Sequence, residues 1–165
     1  MRMLSKVRAA LPTDIPALLE LMRDLARFED YLDEFRVDEQ QLLARAFGAT
    51  PQCEVFVAEW AGRIAGYAVV LEIPFTYDLR PTLLLKELYV AEQCRSAGLG
   101  SALLRQIARL ALSRGAGRLK WDVLAGNIQA EAFYQRLGGA PEHKWTAYRM
   151  DAAALALLAR PGSSG

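Results

Sequence analysis

The chain reads Leu83-Leu-Leu-Lys-Glu-Leu-Tyr-Val90 and then Arg95-Ser-Ala-Gly98-Leu-Gly100-Ser101 near its centre, and no other region says as much about its fold. The first segment is rich in apolar residues and predicts a strand from Leu83 to Val90. The second carries two glycines ahead of a helical pattern that runs from about Gly98 to Ser113. A strand that leads through a glycine turn into a helix start presents free backbone N–H groups, which suit a pyrophosphate. An ordinary tight turn is the alternative interpretation, because glycine pairs are common in loops.

The residues before this region predict two amphipathic helices and a β-hairpin. Thr13-Asp14 supplies capping oxygens for the first helix, and Ala61-Gly62 separates two β-rich runs in the manner of a hairpin turn. The predicted elements are a strand from Lys6 to Leu11, a helix after Thr13-Asp14, a helix from Asp38 to Gly48, and strands from Cys53 to Trp60 and from Arg63 to Ile73.

The residues after the glycine turn predict alternating strands and helices. The predicted elements are a strand from Leu119 to Leu124, a helix from Asn127 to Leu137, a strand from Lys144 to Met150 and a short helix from Ala152 to Ala159. A hairpin followed by strand-helix-strand-helix predicts a mixed α/β fold, with helices packed on a mixed sheet. We expect one domain from 1 to 160 and a flexible tail from 161 to 165.

The composition narrows the classes of function. The 165 residues carry 20 lysines and arginines against 19 acidic residues, and this balance predicts neither a nucleic-acid nor a membrane surface. Cys53 and Cys94 lie far apart, and His143 is the one histidine, so the sequence predicts free thiols and no metal site. The first residues lack the apolar region of a signal peptide, and a cytoplasmic protein is expected.

Two motifs carry a resemblance to a known family. Arg95-x-x-Gly98-x-Gly100 resembles the acyl-CoA pyrophosphate motif of the GNAT superfamily of N-acyltransferases. Asn127-x-x-Ala130-x-x-Phe133-Tyr134-x-x-x-Gly138 resembles the later motif of the same superfamily, at the expected distance. The resemblance implies a mostly antiparallel central sheet of six to seven strands flanked by about four helices. It also implies acetyl-CoA as co-substrate and transfer of the acetyl group to an amine.

Within that superfamily the chain is most similar to the spermidine/spermine (diamine) and thialysine acetyltransferases. The likeness runs from roughly Val7 to Leu158 and includes Leu25-Ala-Arg-Phe-Glu29 and Phe75-Thr-Tyr-Asp78. It implies a small-molecule amine as substrate and a homodimer with active sites near the subunit interface.

The resemblance also implies roles for individual residues. Tyr134 would protonate the departing CoA thiolate, although a tyrosine at this spacing is otherwise common in a protein core. The predicted acyl-CoA contacts are Leu88, Tyr89, Val90, Arg95, Ser96, Ala97, Gly98, Leu99, Gly100, Ser101, Asn127, Tyr134 and Arg136.

Glu87 is the candidate base. An alkylammonium with a pKa near ~10 must lose a proton before it can attack a thioester. A carboxylate within an apolar strand also needs an explanation, because its desolvation costs free energy. Glu87 aligns with an acidic residue of the resembled family, so we expect it to accept the proton or to bind the amine. Pairing with Lys86 or another cation is the alternative.

The amine itself would meet acidic residues. Glu29 is the first residue of the acidic segment Glu29-Asp-Tyr-Leu-Asp-Glu34, which the resemblance implies as an amine contact. Without the resemblance, the segment would be interpreted as a solvated helix end. Tyr77 and Asp78 belong to a second amine contact that the resemblance implies. The diamine enzymes have tryptophan and glutamate where this chain has Arg80 and Lys86. Both changes add positive charge, so we hypothesise that Arg80 or Lys86 receives a substrate carboxylate.

Two alternative functions remain open at this point. The chain could be a non-catalytic acyl-CoA sensor that binds a protein partner, or it could acetylate amino termini or lysines of proteins. Neither the acyl chain length nor the physiological amine follows from the sequence.

Overall fold

The computed structural model describes residues 5–162, and five strands in this range form one sheet in the order β1-β2-β3-β4-β5. The first three neighbouring pairs are antiparallel and β4 pairs with β5 in parallel. The mixed α/β fold is therefore confirmed, with five strands instead of the expected six to seven. The strands are β1 (Lys6–Ala9), β2 (Glu54–Trp60), β3 (Arg63–Ile73), β4 (Thr82–Val90) and β5 (Arg118–Lys120).

Five α-helices accompany the sheet. They are α1 (Ile15–Phe28), α2 (Glu39–Phe47), α3 (Leu99–Ser113), α4 (Ile128–Arg136) and α5 (Ala152–Leu158). The chain divides into two compact units between Asn127 and Ile128, so the sheet and α1 to α3 lie in the first unit and α4 and α5 in the second. The single domain from 1 to 160 stays a prediction, and residues 163–165 of the predicted tail lie outside the described residues.

The β2–β3 hairpin turns where the sequence predicts it. Ala61 and Gly62 both have positive φ angles, 52° and 75°, as a two-residue turn of the type that fits twisted strands requires. Farther along β3, a Cβ atom on Gly66 would lie 3.0 Å from the Tyr89 carbonyl oxygen. Glycine at this position therefore permits the close approach of β3 and β4 near the carboxyl end of β4.

A β-bulge fixes which way the centre of β4 faces. Val69 pairs with Glu87 while the next residue, Val70, pairs with Leu85, so Lys86 is an extra residue on β4. Lys86 is exposed and Glu87 is half-buried. The bulge thus directs the carboxylate of Glu87 to the protein side and leaves the ammonium of Lys86 in solvent.

Helices cover both faces of the sheet in the first unit. One face packs under α1 and α2 and contains a buried cluster of Leu18, Met22, Leu42, Val57 and Tyr67. The alternate residues of β2 and β3 are buried as well, and α3 packs on these strands. Because side chains alternate along a strand, α3 lies on the face opposite α1.

The end of the chain departs from prediction. The predicted strand from Leu119 to Leu124 stops at Lys120, and the predicted strand from Lys144 to Met150 is wrong, because that segment is exposed and forms no strand. A strand needs a neighbour to pair its backbone groups. Among the described residues, the second unit has two helices and no strand to supply one.

Candidate functional site

One edge of β4 is paired over only part of its length. β5 pairs with Thr82, Leu83 and Leu84 and then ends at Lys120. Within residues 5–162 no strand pairs with this edge of β4 from Leu85 to Val90. Backbone N–H and C=O groups on an unpaired edge can bind an extended ligand through strand-like hydrogen bonds. The predicted acyl-CoA contacts Leu88, Tyr89 and Val90 all lie on this half of β4.

The glycine turn leads from β4 into α3. Ser96 and Gly98 have positive φ angles of 74° and 80°, and Gly98 precedes the helix in the left-handed conformation. The first turn of α3 has no capping side chain and no acidic residue. Within the described residues, the N–H groups of Leu99, Gly100 and Ser101 have no acceptor in the loop. Free N–H groups at the positive end of the helix dipole form an anion site.

Arg95 packs between the end of β4 and the end of α1. Its guanidinium carbon lies 5.5 Å from the ring centre of Tyr89 and 5.9 Å from that of Phe28. Its Nε donates a hydrogen bond of 3.1 Å to the carbonyl oxygen of Val90. Arg95 therefore ties the end of β4 to the end of α1, and its contact with the pyrophosphate stays a prediction.

Glu87 lies beneath α1 and α2 on the face of β4 that the bulge sets. The hydroxyl of the fully buried Tyr67 donates a long hydrogen bond of 3.4 Å to Glu87 Oε1. Within the described residues no cation lies within salt-bridge distance of Glu87. Burial raises the pKa of Glu87, and the charge of Lys86 lowers it by a smaller amount. The alternative interpretation of Glu87 as half of an ion pair therefore finds no support.

The predicted amine contact Glu29 lies in the electrostatic neighbourhood of Glu87. Its negative charge adds to the rise in the pKa of Glu87. Burial and the charge of Glu87 raise the pKa of Tyr31 to about 12, and burial raises the pKa of Tyr67 as well. Two carboxylates and two protonated phenols thus interact electrostatically near the junction of α1 and β4. Such a group favours a cation, because a bound ammonium would relieve the repulsion between the carboxylates.

A cavity of about 580 Å³ opens beside Glu87. Its floor is the row of Val55, Val69 and Glu87, which are paired with each other across β2, β3 and β4. The wall comes from α1, from α2 and from the segment that joins them, including Arg36 and Arg45. This volume lies within the ~300–1,000 Å³ range of small-molecule sites.

A second group of predicted contacts lies at the opposite end of β4. Asp78 accepts a hydrogen bond of 2.5 Å from Arg118, and this pairing holds the pKa of Asp78 at about 2. Arg80 donates to the carbonyl oxygen of Ala116 at 3.2 Å, while the ring of Tyr77 lies 5.0 Å from the Arg118 guanidinium.

This second group and Glu87 are separated by about half of β4. At ~3.3 Å per strand residue, Thr82 and Glu87 are roughly 15 Å apart. The structure therefore places Glu29 within electrostatic reach of Glu87, whereas Asp78 lies toward the far end of β4. The roles of Tyr77 and Asp78 in amine binding, and of Arg80 in binding a substrate carboxylate, stay predictions.

The remaining predicted residues lie at the boundary between the two units and in the second one. Asn127 closes a turn in which its N–H donates to the carbonyl oxygen of Leu124 at 3.0 Å. Tyr134 is half-buried on α4, with its ring 5.2 Å from that of Phe133 in an edge-on arrangement. Arg136 is the exposed last residue of α4. Their roles in catalysis and in CoA binding stay predictions.

Sequence reasoning overlooked several residues around the cavity. Tyr67 could have been found, because the predicted hairpin places it two residues from Val69 and on the same face of β3. Arg45 could also have been found, because it follows the buried Leu42 by three residues, and positions three apart are neighbours on a helix surface. Arg36 gave no such signal, since it lies outside any helix or strand.

Residues 5–162 offer neither a cluster of metal ligands nor a membrane-spanning helix. They contain no group of three or more histidine, cysteine, aspartate or glutamate side chains that could hold a metal ion. Across that same range, every helix falls short of the length and apolar character that a membrane crossing requires.

The sequence and the fold of the chain are similar to those of known proteins. The model of the acetyltransferase (GNAT) family matches residues 19–139. Thialysine N-epsilon-acetyltransferase of Bos taurus is 29% identical over 164 residues, which cover 93% of this chain and 96% of that protein. L-ornithine N5-acetyltransferase of Arabidopsis thaliana is 23% identical over 199 residues, covering 93% and 87%. The solved structure of an integron cassette protein from V. cholerae gives a TM-score of 0.79 at 22% identity, covers 97% and 99%, and bears on the fold alone.

Proposed function

The chain belongs to the acetyltransferase (GNAT) family, and we propose that it transfers an acetyl group from acetyl-CoA directly to a primary amine of a small, polyamine-like or amino-acid-like molecule. One observation carries the proposal. The half-buried Glu87 lies on β4 next to the unpaired strand edge, and the same strand leads into the free N–H groups of α3. An amine acceptor and an acyl-CoA donor can therefore meet at one strand. The names of the relatives, which act on thialysine and ornithine, support a small amine as acceptor.

The donor would bind along β4 and at the start of α3. Backbone groups of Leu88 and Val90 would pair with the pantetheine arm, and the turn from Ser96 to Ser101 would surround the pyrophosphate. Asn127 and Arg136 would complete the CoA site. The left-handed conformation at Gly98 and the uncapped first turn of α3 support this assignment.

The transfer would proceed in one displacement. Glu87, directly or through water, takes a proton from the ammonium, and the free amine attacks the thioester carbonyl carbon to form a C–N bond. The C–S bond then breaks, Tyr134 gives its proton to the departing thiolate, and the nitrogen loses its second proton to the Tyr134 phenolate to give the neutral amide. The raised pKa of Glu87 supports its role as base, since a carboxylate that binds protons more strongly is the better acceptor near neutral pH.

The test is CoA-thiol release from acetyl-CoA with a panel of polyamines, amino acids with side-chain amines, aminoglycosides and a lysine peptide. We expect turnover with at least one small amine, and a fall in kcat of roughly 100-fold in Tyr134→Phe. Tyr148→Phe, which changes a 94% exposed tyrosine of the same unit, is the matched control. Tight acetyl-CoA binding without thiol release from any amine would instead identify a sensor. Turnover of the peptide alone would identify a protein acetyltransferase.

We also propose that two copies of the chain associate. Phe75, Tyr77 and Leu79 in the loop before β4 are 85%, 91% and 76% exposed, and apolar side chains gathered on one loop favour a protein contact. Sedimentation equilibrium should give a dimer, and Phe75→Ser with Leu79→Ser should shift it toward monomer. A monomer at micromolar concentration would contradict the proposal. A cytoplasmic location stays a prediction from the sequence.

A further inference from the structure

The cavity beside Glu87 has charges of opposite sign at its two ends. Glu87 lies on its floor, in the middle of the sheet. Arg36 and Arg45 line it from the segment between α1 and α2 and from α2 itself, and both are solvent-exposed. The cavity therefore has a carboxylate on its floor, and at its mouth two guanidinium groups against the single carboxylate of Asp38. A ligand that carries an ammonium at one end and a carboxylate at the other matches this order of charges.

The two arginines retain hydrogen-bonding capacity for a ligand. Nη1 of Arg36 donates to the carbonyl oxygens of Asp33 and Phe35, and Nε of Arg45 donates to Gln41 Oε1. Each guanidinium has five N–H donors, so most of them remain available. These hydrogen bonds hold each side chain by one edge and leave the rest of the fork for a carboxylate.

Neither arginine has a carboxylate partner within the described residues. The ion pairs of that part of the chain involve Arg8, Arg27, Arg114 and Arg118 instead. Asp38 also lines the cavity, but its Oδ1 accepts from the Gln41 N–H and caps α2. The positive charge at the mouth is therefore not cancelled by an ion pair.

We propose that Arg36 and Arg45 bind the carboxylate of the acceptor, so that the enzyme acetylates the side-chain amine of an amino acid. This inference rests on the proposed acetyl transfer at Glu87. It replaces Arg80 and Lys86 as carriers of the substrate carboxylate. Arg80 is bound to Ala116 at the far end of β4, and the bulge exposes Lys86 outside the cavity.

The same charges disfavour a polyamine. A diamine with one ammonium at Glu87 would bring its other ammonium toward two guanidinium groups. Like charges in a partly enclosed site repel, and this repulsion raises the free energy of binding. An amino acid of equal length instead gains charge-assisted hydrogen bonds at the mouth, and guanidinium binds a planar carboxylate in bidentate fashion.

The decisive experiment compares acceptors that differ only in the carboxylate. Lysine against cadaverine and ornithine against putrescine are such pairs, with turnover followed by thiol release. We expect kcat/KM for the amino acid to exceed that for its diamine by at least roughly tenfold. Fragment-ion mass spectrometry should place the acetyl group on the side-chain amine, because that end faces Glu87.

Variants at the mouth test the residues themselves. Arg36→Gln and Arg45→Gln should each raise KM for the preferred amino acid roughly tenfold with little change in kcat, and leave diamine turnover equal or better. Arg45→Glu should shift the preference toward the diamine. Arg109→Gln, on the exposed side of α3, removes the same charge away from the cavity and should change neither value.

The outcomes separate this inference from the function on which it rests. Diamine turnover that equals or exceeds amino-acid turnover in the unmodified protein would overturn the carboxylate site while preserving the acetyltransferase. Arginine variants that weaken both acceptors of a pair equally would overturn the carboxylate site as well. Absence of thiol release from every amine would overturn the proposed function itself.

Discussion

The two ends of β4 differ in how completely their polar groups are paired. At the Thr82 end, β3 and β5 pair with the strand on both sides, and Arg118 donates to Thr82 Oγ1 at 2.9 Å as well as to Asp78. At the Val90 end, one edge has no strand partner among the described residues, and Glu87 has a single long hydrogen bond.

This difference indicates that one end of β4 contributes mainly to stability and the other mainly to activity. Paired polar groups stabilise the folded state, whereas a buried carboxylate with few partners costs free energy that folding alone does not recover. Strain and incomplete pairing of this kind are typical of sites that bind and react. We therefore expect substitutions at the Val90 end to change activity most, and substitutions at the Thr82 end to change stability most.

Glu87→Gln should have the largest effect on activity. Glutamine keeps the size of the side chain but cannot accept the proton of the ammonium, so we expect kcat to fall by on the order of 100-fold. Steady-state thiol release with the preferred amine measures it. Glu72→Gln removes a carboxylate from β3 opposite Leu83, at the other end of the sheet, and should leave kcat unchanged. Equal losses in the two variants would contradict the separation of tasks.

Gly98→Ala should weaken acetyl-CoA binding roughly tenfold, because a residue with a side chain pays about 1–2 kcal/mol in the left-handed conformation. Nothing lies within 4 Å of the added Cβ, so backbone strain is the whole effect. Isothermal titration calorimetry gives the Kd. Gly115→Ala introduces the same strain at a φ of 67° after α3, again with nothing within 4 Å, and should leave the Kd unchanged. A normal Kd in Gly98→Ala would remove the glycine turn from the CoA site.

Much of the fold can be predicted from local sequence. β3 has the predicted bounds, and β4 and α3 each differ from prediction by one residue at the start. These elements can be predicted because a run of β-forming residues, or apolar residues at helical spacing, involves only positions close together in the sequence. The predicted strand from Lys144 to Met150 was wrong because the residues of a segment do not by themselves supply the neighbouring strand that its backbone groups need.

The site is harder to predict than the elements that carry it. Glu87 could be singled out because a charge in an apolar strand is unusual. The face of the sheet to which its side chain points, however, depends on the bulge at Lys86. A shift of one residue reverses the face of a side chain, and it arises from pairing with β3. The cavity mouth is less predictable still, because Arg36 and Arg45 line one cavity only when α2 packs against α1.

The pH dependence should reflect the environment of Glu87. Burial raises its pKa, so the acid limb of kcat/KM should lie at higher pH than an ordinary glutamate would give. The hydrogen bond from Tyr67 stabilises the carboxylate and lowers that pKa, so Tyr67→Phe should move the limb further toward high pH. A pH–rate profile with Tyr148→Phe as control measures the shift. Movement to lower pH in Tyr67→Phe would show that Glu87 does not set this limb.

The smallest expected effects are on stability, and they should have opposite signs at the two ends of β4. The folded-state pKa of Glu87 is raised, so the free energy of unfolding falls as the pH rises from the ordinary glutamate pKa through that raised pKa. Glu87→Gln should therefore increase the free energy of unfolding near pH 7.5 by roughly 1 kcal/mol. Arg118→Gln should decrease it, because Asp78 and Thr82 lose their donor.

The pH dependence of the free energy of unfolding in these two variants distinguishes an electrostatic effect from a packing effect. Below the ordinary glutamate pKa of ~4.3, Glu87 is neutral in both states, so the gain in Glu87→Gln should disappear there. The pKa of Asp78 is lowered to about 2, so its stabilisation is complete at neutral pH and declines as the pH falls. Urea unfolding of both variants at pH 7.5 and pH 4 measures these trends. A gain in Glu87→Gln that persists at pH 4 would indicate improved packing, and the unpaired end of β4 would then carry no electrostatic cost.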